Sequence, residues 1–362
     1  MLWAGWSGGS TTGGRGGCAV ILVSGYYGFG NLGDEAILAA LCQDLVSLGI
    51  SRRQIVVPSG NPQQTAAEHG VSVLGRCDLK GIWRVLSSAR CMVSGGGSLL
   101  QDATSKRSLP YYLSLVELAL LRRVPVVMYA QGLGPISSGP YKSWTARVYK
   151  RAAACSVRDE DSLRFLEELG VPEEKIVLAA DPVFARGLAA NTGERTRRLL
   201  LNLRPHEGWP EQSSLWLEHL LRWEQEGWSV EFLPLGPGDQ ELGAFLQTRC
   251  PGLKVHAKPE LSNLDRMFQG AALCISMRLH GLIFSALNDC QPVGVNYDPK
   301  VAAVCAQLRV PYVELGELGR LPELVSQVLT AMEEQRQGYQ RALGELQRRT
   351  AGNRRVLAQV LR

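Results

Sequence analysis

The feature that most constrains this chain is an alternation, run through twice, of short apolar segments with longer segments of helical periodicity. A first series of strands is expected at 18–24, 54–58, 91–94, 125–130 and 155–157. A second is expected at 198–203, 229–233, 253–256, 271–276, 292–296 and 312–315. Between them, residues 34–48 set Ile37, Ala40, Leu41, Leu45 and Leu48 on one helical stripe, and 109–122 and 162–169 behave alike. Strands that are apolar throughout carry helices on both faces, and strand–helix alternation gives parallel sheets. A chain of 362 residues exceeds the roughly 250–300 that one core supports. The pattern breaks around 180–198, at Asp181-Pro182 and the polar stretch NTGERTRR. The expected fold is therefore α/β, with two Rossmann-like domains facing a cleft, at 18–180 and 195–330. A flexible Gly/Ser-rich leader (1–17) precedes them and a basic C-terminal helix (331–362) follows.

Composition narrows the function. No apolar run approaches the ~20 residues of a membrane span, and the N-terminus lacks the basic and apolar regions of a signal peptide. Nine scattered Cys without a CxxC pair imply reduced thiols in the cytoplasm, and with five dispersed His they do not suggest a metal site. The net charge of +5 is mild and basic residues are not interleaved with aromatics, so no nucleic-acid partner is expected. Seven Arg against three Glu give 331–362 a charge of +4, which fits a solvated helix face or peripheral contact with an anionic membrane. Trp209, Trp216 and Trp223, spaced by seven with Trp228 close behind, fit helical core packing.

In open parallel sheets, ligands bind beyond the carboxyl ends of the strands. The first such end reads SGYYGFGNLGDE. Gly28, Gly30 and Gly33 fit G-x-G-x-x-G, but the second strand ends PSGN, without the carboxylate that holds a nicotinamide ribose. Asp34 there can cap the following helix, act as a general acid or base, or do both. The next end, SGGGSLLQD, lets backbone approach a ligand closely and has no Walker lysine. YAQGLGP offers Gln131 to sugar hydroxyls, and SVRD places Arg158 at a strand end. In the second half, ISMRLHG sets Arg278 and His280 at a strand–helix transition, NYDPK supplies Lys300, and NLRPH supplies Arg204. Five such groups at strand ends on both sides of a cleft favour a small ligand with two or three negative charges.

At these residues the chain resembles the polysaccharide pyruvyl transferases, of the bacterial kind that modify secondary cell-wall polymers. GYYGFGNLGDEAIL, SGGGSLLQD, YAQGLGP, SVRDEDS, MRLHGLIFSAL and YDPK follow the family's motifs in order, over residues 20–329. The resemblance implies a GT-B-like fold, phosphoenolpyruvate as donor, and a lipid-linked acceptor bearing N-acetylmannosamine, in polymers that anchor surface layers. It also implies His280 and Lys300, with Arg278 beside them, as donor-binding residues, and matches Asp34 to the family's acidic position.

On this reading Arg278, His280 and Lys300 take the donor phosphate and Arg158 and Arg204 its carboxylate. Asp34 is the general acid/base, with Asp102 in reserve. Tyr26, Tyr27, Asn31, Gly96, Gln101, Asp102 and Gln131 are expected around the acceptor. No cofactor or metal is expected. The alternative is a nucleotide-sugar glycosyltransferase on the same GT-B fold.

Overall fold

The computed structural model describes residues 20–102, 108–188 and 195–362, so the expected leader lies outside the described residues. The first sheet comprises β1 (Val20–Ser24), β2 (Ile55–Ser59), β3 (Ser72–Gly75), β4 (Ala89–Ser94), β5 (Gly97–Leu100), β6 (Val126–Leu133), β7 (Ala154–Val157) and β8 (Ile176–Leu178). Its order is β3-β2-β1-β4-β6-β7-β8, with β5 paired to β6 off that path. The second sheet comprises β9 (Thr196–Asn202), β10 (Ser229–Phe232), β11 (Lys254–Val255), β12 (Ala271–Ser276), β13 (Gln291–Asn296) and β14 (Tyr312–Glu314), in the order β11-β10-β9-β12-β13-β14. Neighbouring strands run parallel in both.

Each sheet reverses its order beside its first strand, between β1 and β4 and between β9 and β12, which is where doubly wound sheets open a crevice. The register brings Ser24 level with Ser94 at one reversal and Asn202 level with Ser276 at the other. Within β1, Ile21 and Val23 join one core and Leu22 the opposite one, so the strand is apolar on both faces.

A third core joins the two domains. Leu32, Ala36 and Ile37 from the helix Leu32–Ser47 pack with Leu200, Leu233, Leu235 and Leu279 of the second domain. Leu32 N donates to Leu235 O at 2.9 Å. Trp216 and Trp223 are buried in the second domain's core, on the face of the helix Trp209–Gln225 that their spacing marks.

The C-terminal segment forms two helices, Met332–Arg349 and Ala351–Leu361, where the sequence suggested one, and their inner sides are packed into the fold. Tyr339, Leu343 and Leu346 enter the interdomain core, while Val356, Leu357 and Leu361 cover the first sheet. Fully buried Asn353 accepts from Ser156 Oγ and donates to Ala180 O, each at 2.8 Å. The segment's Arg excess is the outer side of helices whose inner sides close both domains.

Candidate active site

A cavity of about 400 Å³ lies where the two reversals face each other. Nine of the residues expected at the site line it: Tyr26, Asn31, Asp34, Gln101, Arg158, Arg204, Arg278, His280 and Lys300. Three helices begin there, Leu32–Ser47, Leu279–Leu287 and Pro299–Leu308, so three positive dipole ends point to one place. Asp34, His280 and Lys300 stand in the first turns of these helices.

Arg278, Lys300 and Arg158 are each held by a carboxylate that does not line the cavity, and Arg204 by a tyrosine that does. Arg278 Nε donates to Asp239 Oδ2 at 2.7 Å and Nη2 to Asp239 Oδ1. Asp239 is fully buried and is itself fixed by the Leu235 and Gly236 N–H groups, at 3.0 and 2.9 Å. This bidentate clamp aims the guanidinium. Among the described residues Arg278 Nη1 has no hydrogen-bond partner. Lys300 Nζ lies 2.9 Å from Asp298 Oδ2, and Asp298 also caps the helix that carries Lys300. Arg204 Nη1 donates to the Tyr297 hydroxyl at 2.5 Å, and its guanidinium lies 4.7 Å from that ring's centroid.

Arg158 and His280 share one carboxylate. Arg158 Nη1 bonds Asp181 Oδ2 at 3.0 Å and Nη2 bonds Ser98 Oγ at 2.9 Å, while His280 Nε2 stands 3.5 Å from the same Asp181 oxygen. Burial alone would raise the Asp181 pKa, but His280 and then Arg158 outweigh it and hold the carboxyl at about 2. The opposite edge of the imidazole rests on Gly33, where a β-carbon would collide with His280 Nδ1. Glycine is required there for the close approach of the two domains.

Asp34 differs from the other carboxylates. It is 8% exposed, and burial lifts its pKa to about 6 against the pull of His280, Arg158 and Lys300. The helix cap is Asn31, whose Oδ1 accepts from Gly33 N at 3.3 Å and whose Nδ2 donates to Asp34 Oδ2 at 2.5 Å. Asp34 is thereby released from capping and oriented by its neighbour. Next to it, Glu35 accepts from Gly28 N at 2.8 Å and meets His69 Nε2 at 3.0 Å, bracing the glycine-rich loop. The ligand atoms of Glu35, Glu68 and His69 lie within 4.8 Å of one another, but this brace accounts for Glu35 and His69.

Four expected acceptor residues do not line the cavity. Tyr27 is fully buried, its ring filling the space beneath Gly25 and Gly95. Gly96 packs against Ala130 O and Ile37. Gln131 is fully buried, with Nε2 donating to Ser94 O at 3.0 Å and to Gly95 O, so it secures the glycine turn from behind. Asp102 accepts from Ser137 N, Ser138 N and Ser137 Oγ. Burial acts to raise its pKa, but these bonds outweigh it and leave the pKa below the usual value, which unfits Asp102 as a reserve acid. Asn31 lines the cavity, yet its amide serves the helix.

Sequence reading missed Ser98, Tyr112, Asp181 and Asp239. A carboxylate that clamps a distant arginine has no local signature, and Asp181-Pro182 reads as a linker.

Fold and cleft together define a two-domain, GT-B-like α/β protein whose interdomain cavity collects cations around one carboxyl, Asp34, among the described lining residues. The family model for polysaccharide pyruvyl transferase matches residues 31–299, and the chain belongs to that family of transferases. Its fold is similar to that of Anabaena HepE solved with UDP and glucose, with a TM-score of 0.62 at 12% identity over 94% of this chain and 98% of that one. It is also similar to the UDP-GlcNAc 2-epimerase of Neisseria meningitidis solved with UDP-GlcNAc, with a TM-score of 0.63 at 12% identity over 95% and 99% of the two chains. S. aureus MnaA, solved with UDP, gives a TM-score of 0.63 at 9% identity over 94% and 95%. No curated protein matches the chain.

Proposed function

We propose that the chain transfers the enolpyruvyl unit of phosphoenolpyruvate to two hydroxyls of a saccharide, forming a cyclic pyruvate ketal and releasing phosphate. The observation that carries this reading is the pairing, in one cavity, of four cations and His280 with an Asp34 whose pKa is about 6. The donor brings a phosphate and a carboxylate. Arg278, His280 and Lys300, with two helix N-termini, suit the phosphate, and Arg158 and Arg204 suit the carboxylate.

The proton ledger closes on these groups. Protonated Asp34 gives its proton to the donor methylene, which becomes a methyl group, and C2 gains oxocarbenium character. One sugar hydroxyl forms a bond to C2 and returns a proton to Asp34. The C2–O bond to phosphate breaks, a neighbouring hydroxyl closes the second C2–O bond, and its proton leaves with phosphate. The cationic cluster stabilises the leaving phosphate. At pH 7 about one-tenth of Asp34 is protonated, enough for a general acid that is reloaded each cycle. No electrons are transferred, so the reaction needs no redox cofactor.

The acceptor in this reading is a lipid-linked cell-wall precursor bearing N-acetylmannosamine, of the kind used to anchor surface layers, processed at the cytoplasmic side. The family match supports the transfer of pyruvyl to a polysaccharide; the acceptor's identity is our extension of it. The test is incubation with phosphoenolpyruvate and a phenyl- or lipid-linked N-acetylmannosamine disaccharide. Phosphate should appear only with acceptor present, together with a product heavier by one pyruvate ketal. Sugar transfer from a UDP donor, without phosphate release from phosphoenolpyruvate, would favour the glycosyltransferase alternative.

A further inference from the structure

A second surface lies on the first domain, outside the cavity. Its elements are the helix Leu79–Leu86 and the end of the helix Ser108–Leu121. Leu79 is 60% exposed, Trp83 42% and Leu121 73%. These are three of the eight large apolar side chains exposed among the described residues, and they come together: the Arg122 guanidinium lies 4.5 Å from the Trp83 ring centroid. A shallow groove runs along Leu79, Lys80, Trp83, Arg84 and Ser87.

Basic side chains outnumber acids around this patch. Lys80, Arg84, Arg122 and Arg123 make no ion pair among the described residues. The nearby acids are engaged elsewhere: Asp78 caps its own helix through Gly81 N at 2.8 Å, and Glu117 is held by Arg147, Arg151 and Trp144. An interfacial tryptophan, two leucines and four unneutralised cations are complementary to the headgroup region of an anionic bilayer.

The patch also continues from the cavity wall. Arg76, three residues before Leu79, sets its guanidinium 5.8 Å from the Tyr26 ring centroid and 5.3 Å from that of Tyr112, and both tyrosines line the cavity. From Leu79 the helix runs about 12 Å along the flank.

We propose that this face docks the chain on an anionic lipid bilayer and presents the cavity's acceptor side to the membrane surface. The inference extends the lipid-linked acceptor reading above, yet it stands on the surface itself. It also moves the membrane contact from the C-terminal segment, which is packed into the fold, to the first domain.

The test is flotation of the full chain with vesicles of phosphatidylcholine alone and with vesicles containing about one-third phosphatidylglycerol, without substrate. Wild type should float with the anionic vesicles only, and high salt should release it. Trp83→Ser with Leu121→Ser should lower the floated fraction about tenfold, and Arg84→Glu with Arg122→Glu should do the same. Both double variants should keep wild-type circular dichroism and turnover on a soluble acceptor. Wild type that fails to float, or variants that float as well as wild type, would overturn the proposal. So would a wild-type dimer that Leu121→Ser dissolves, since the face would then join copies of this chain. A chain that floats yet releases no phosphate from phosphoenolpyruvate keeps the docking surface and loses the functional reading.

Discussion

Replacing Asp34 with Asn should make the protein inactive and more stable at once. Asp34 is buried, and its pKa stands at about 6, well above the roughly 4 of a solvated aspartate. At about 1.4 kcal/mol for each tenfold change in proton affinity, ionising Asp34 in the fold costs about 3 kcal/mol at neutral pH. The sign follows from the direction of the shift. A raised carboxyl favours the folded state while protonated, below pH 4, and loses that benefit as pH rises through 6. Asparagine mimics the protonated form and can keep the Asn31 bond through its own oxygen. The variant should therefore gain 2–3 kcal/mol at pH 7 (by the same arithmetic) and about 0.5 kcal/mol at pH 4. For a chain of this length that is a rise in Tm of about 3–5 °C at pH 7, and almost none at pH 4. Differential scanning fluorimetry in phosphate-free buffer measures both, with kcat determined in parallel. A lower Tm at pH 7, or an equal shift at both pH values, would show that Asp34 is ionised and satisfied by its cationic neighbours, and its role as acid would fall.

Other consequences follow from the same geometry. With Asp34 as the acid, kcat/KM should fall about tenfold per unit above pH 6, and Asp34→Glu should move that limb; a flat profile would point to another donor. Asp181→Asn leaves Arg158 and His280 without their shared counter-charge, so it should cost about 3–5 kcal/mol in chemical denaturation at pH 7; a loss under 1 kcal/mol would mean that the pair is not strongly coupled. Gly33→Ala should displace the His280 ring and raise KM for phosphoenolpyruvate at least tenfold while the fold persists by circular dichroism; unchanged kinetics would remove His280 from donor binding.

Sequence and structure agree where the information is local and periodic. The strands expected at 271–276 and 229–233 appear as Ala271–Ser276 and Ser229–Phe232, because a doubly covered strand must be apolar along its whole length. β3, β5 and β8 escaped that logic. Ser72–Gly75 is an exposed edge, Gly97–Leu100 hides in a glycine-rich turn, and Ile176–Leu178 is too short to show a pattern. The cations of the cleft were legible because parallel sheets place loops at one end of each domain. Their partners Asp181 and Asp239 were not, since a pairing across tens of residues leaves no mark in spacing. The four misplaced acceptor residues share one cause: a polar or glycine residue beside a ligand loop can serve the loop's own backbone, as Gln131 does. The C-terminal arginines marked a solvated helix face correctly, but charge shows only the outside of a helix, and Tyr339, Leu343 and Val356 decide where its inside goes.

The central claim is that the interdomain cavity is a socket for a small, multiply charged enol ester. Isothermal calorimetry of phosphoenolpyruvate and of UDP into wild type and Arg278→Ala tests it most directly. The account expects phosphoenolpyruvate to bind more tightly than UDP, and to lose at least tenfold in affinity when Arg278 leaves its Asp239 clamp. Tighter binding of UDP, or phosphoenolpyruvate binding indifferent to Arg278, would contradict it.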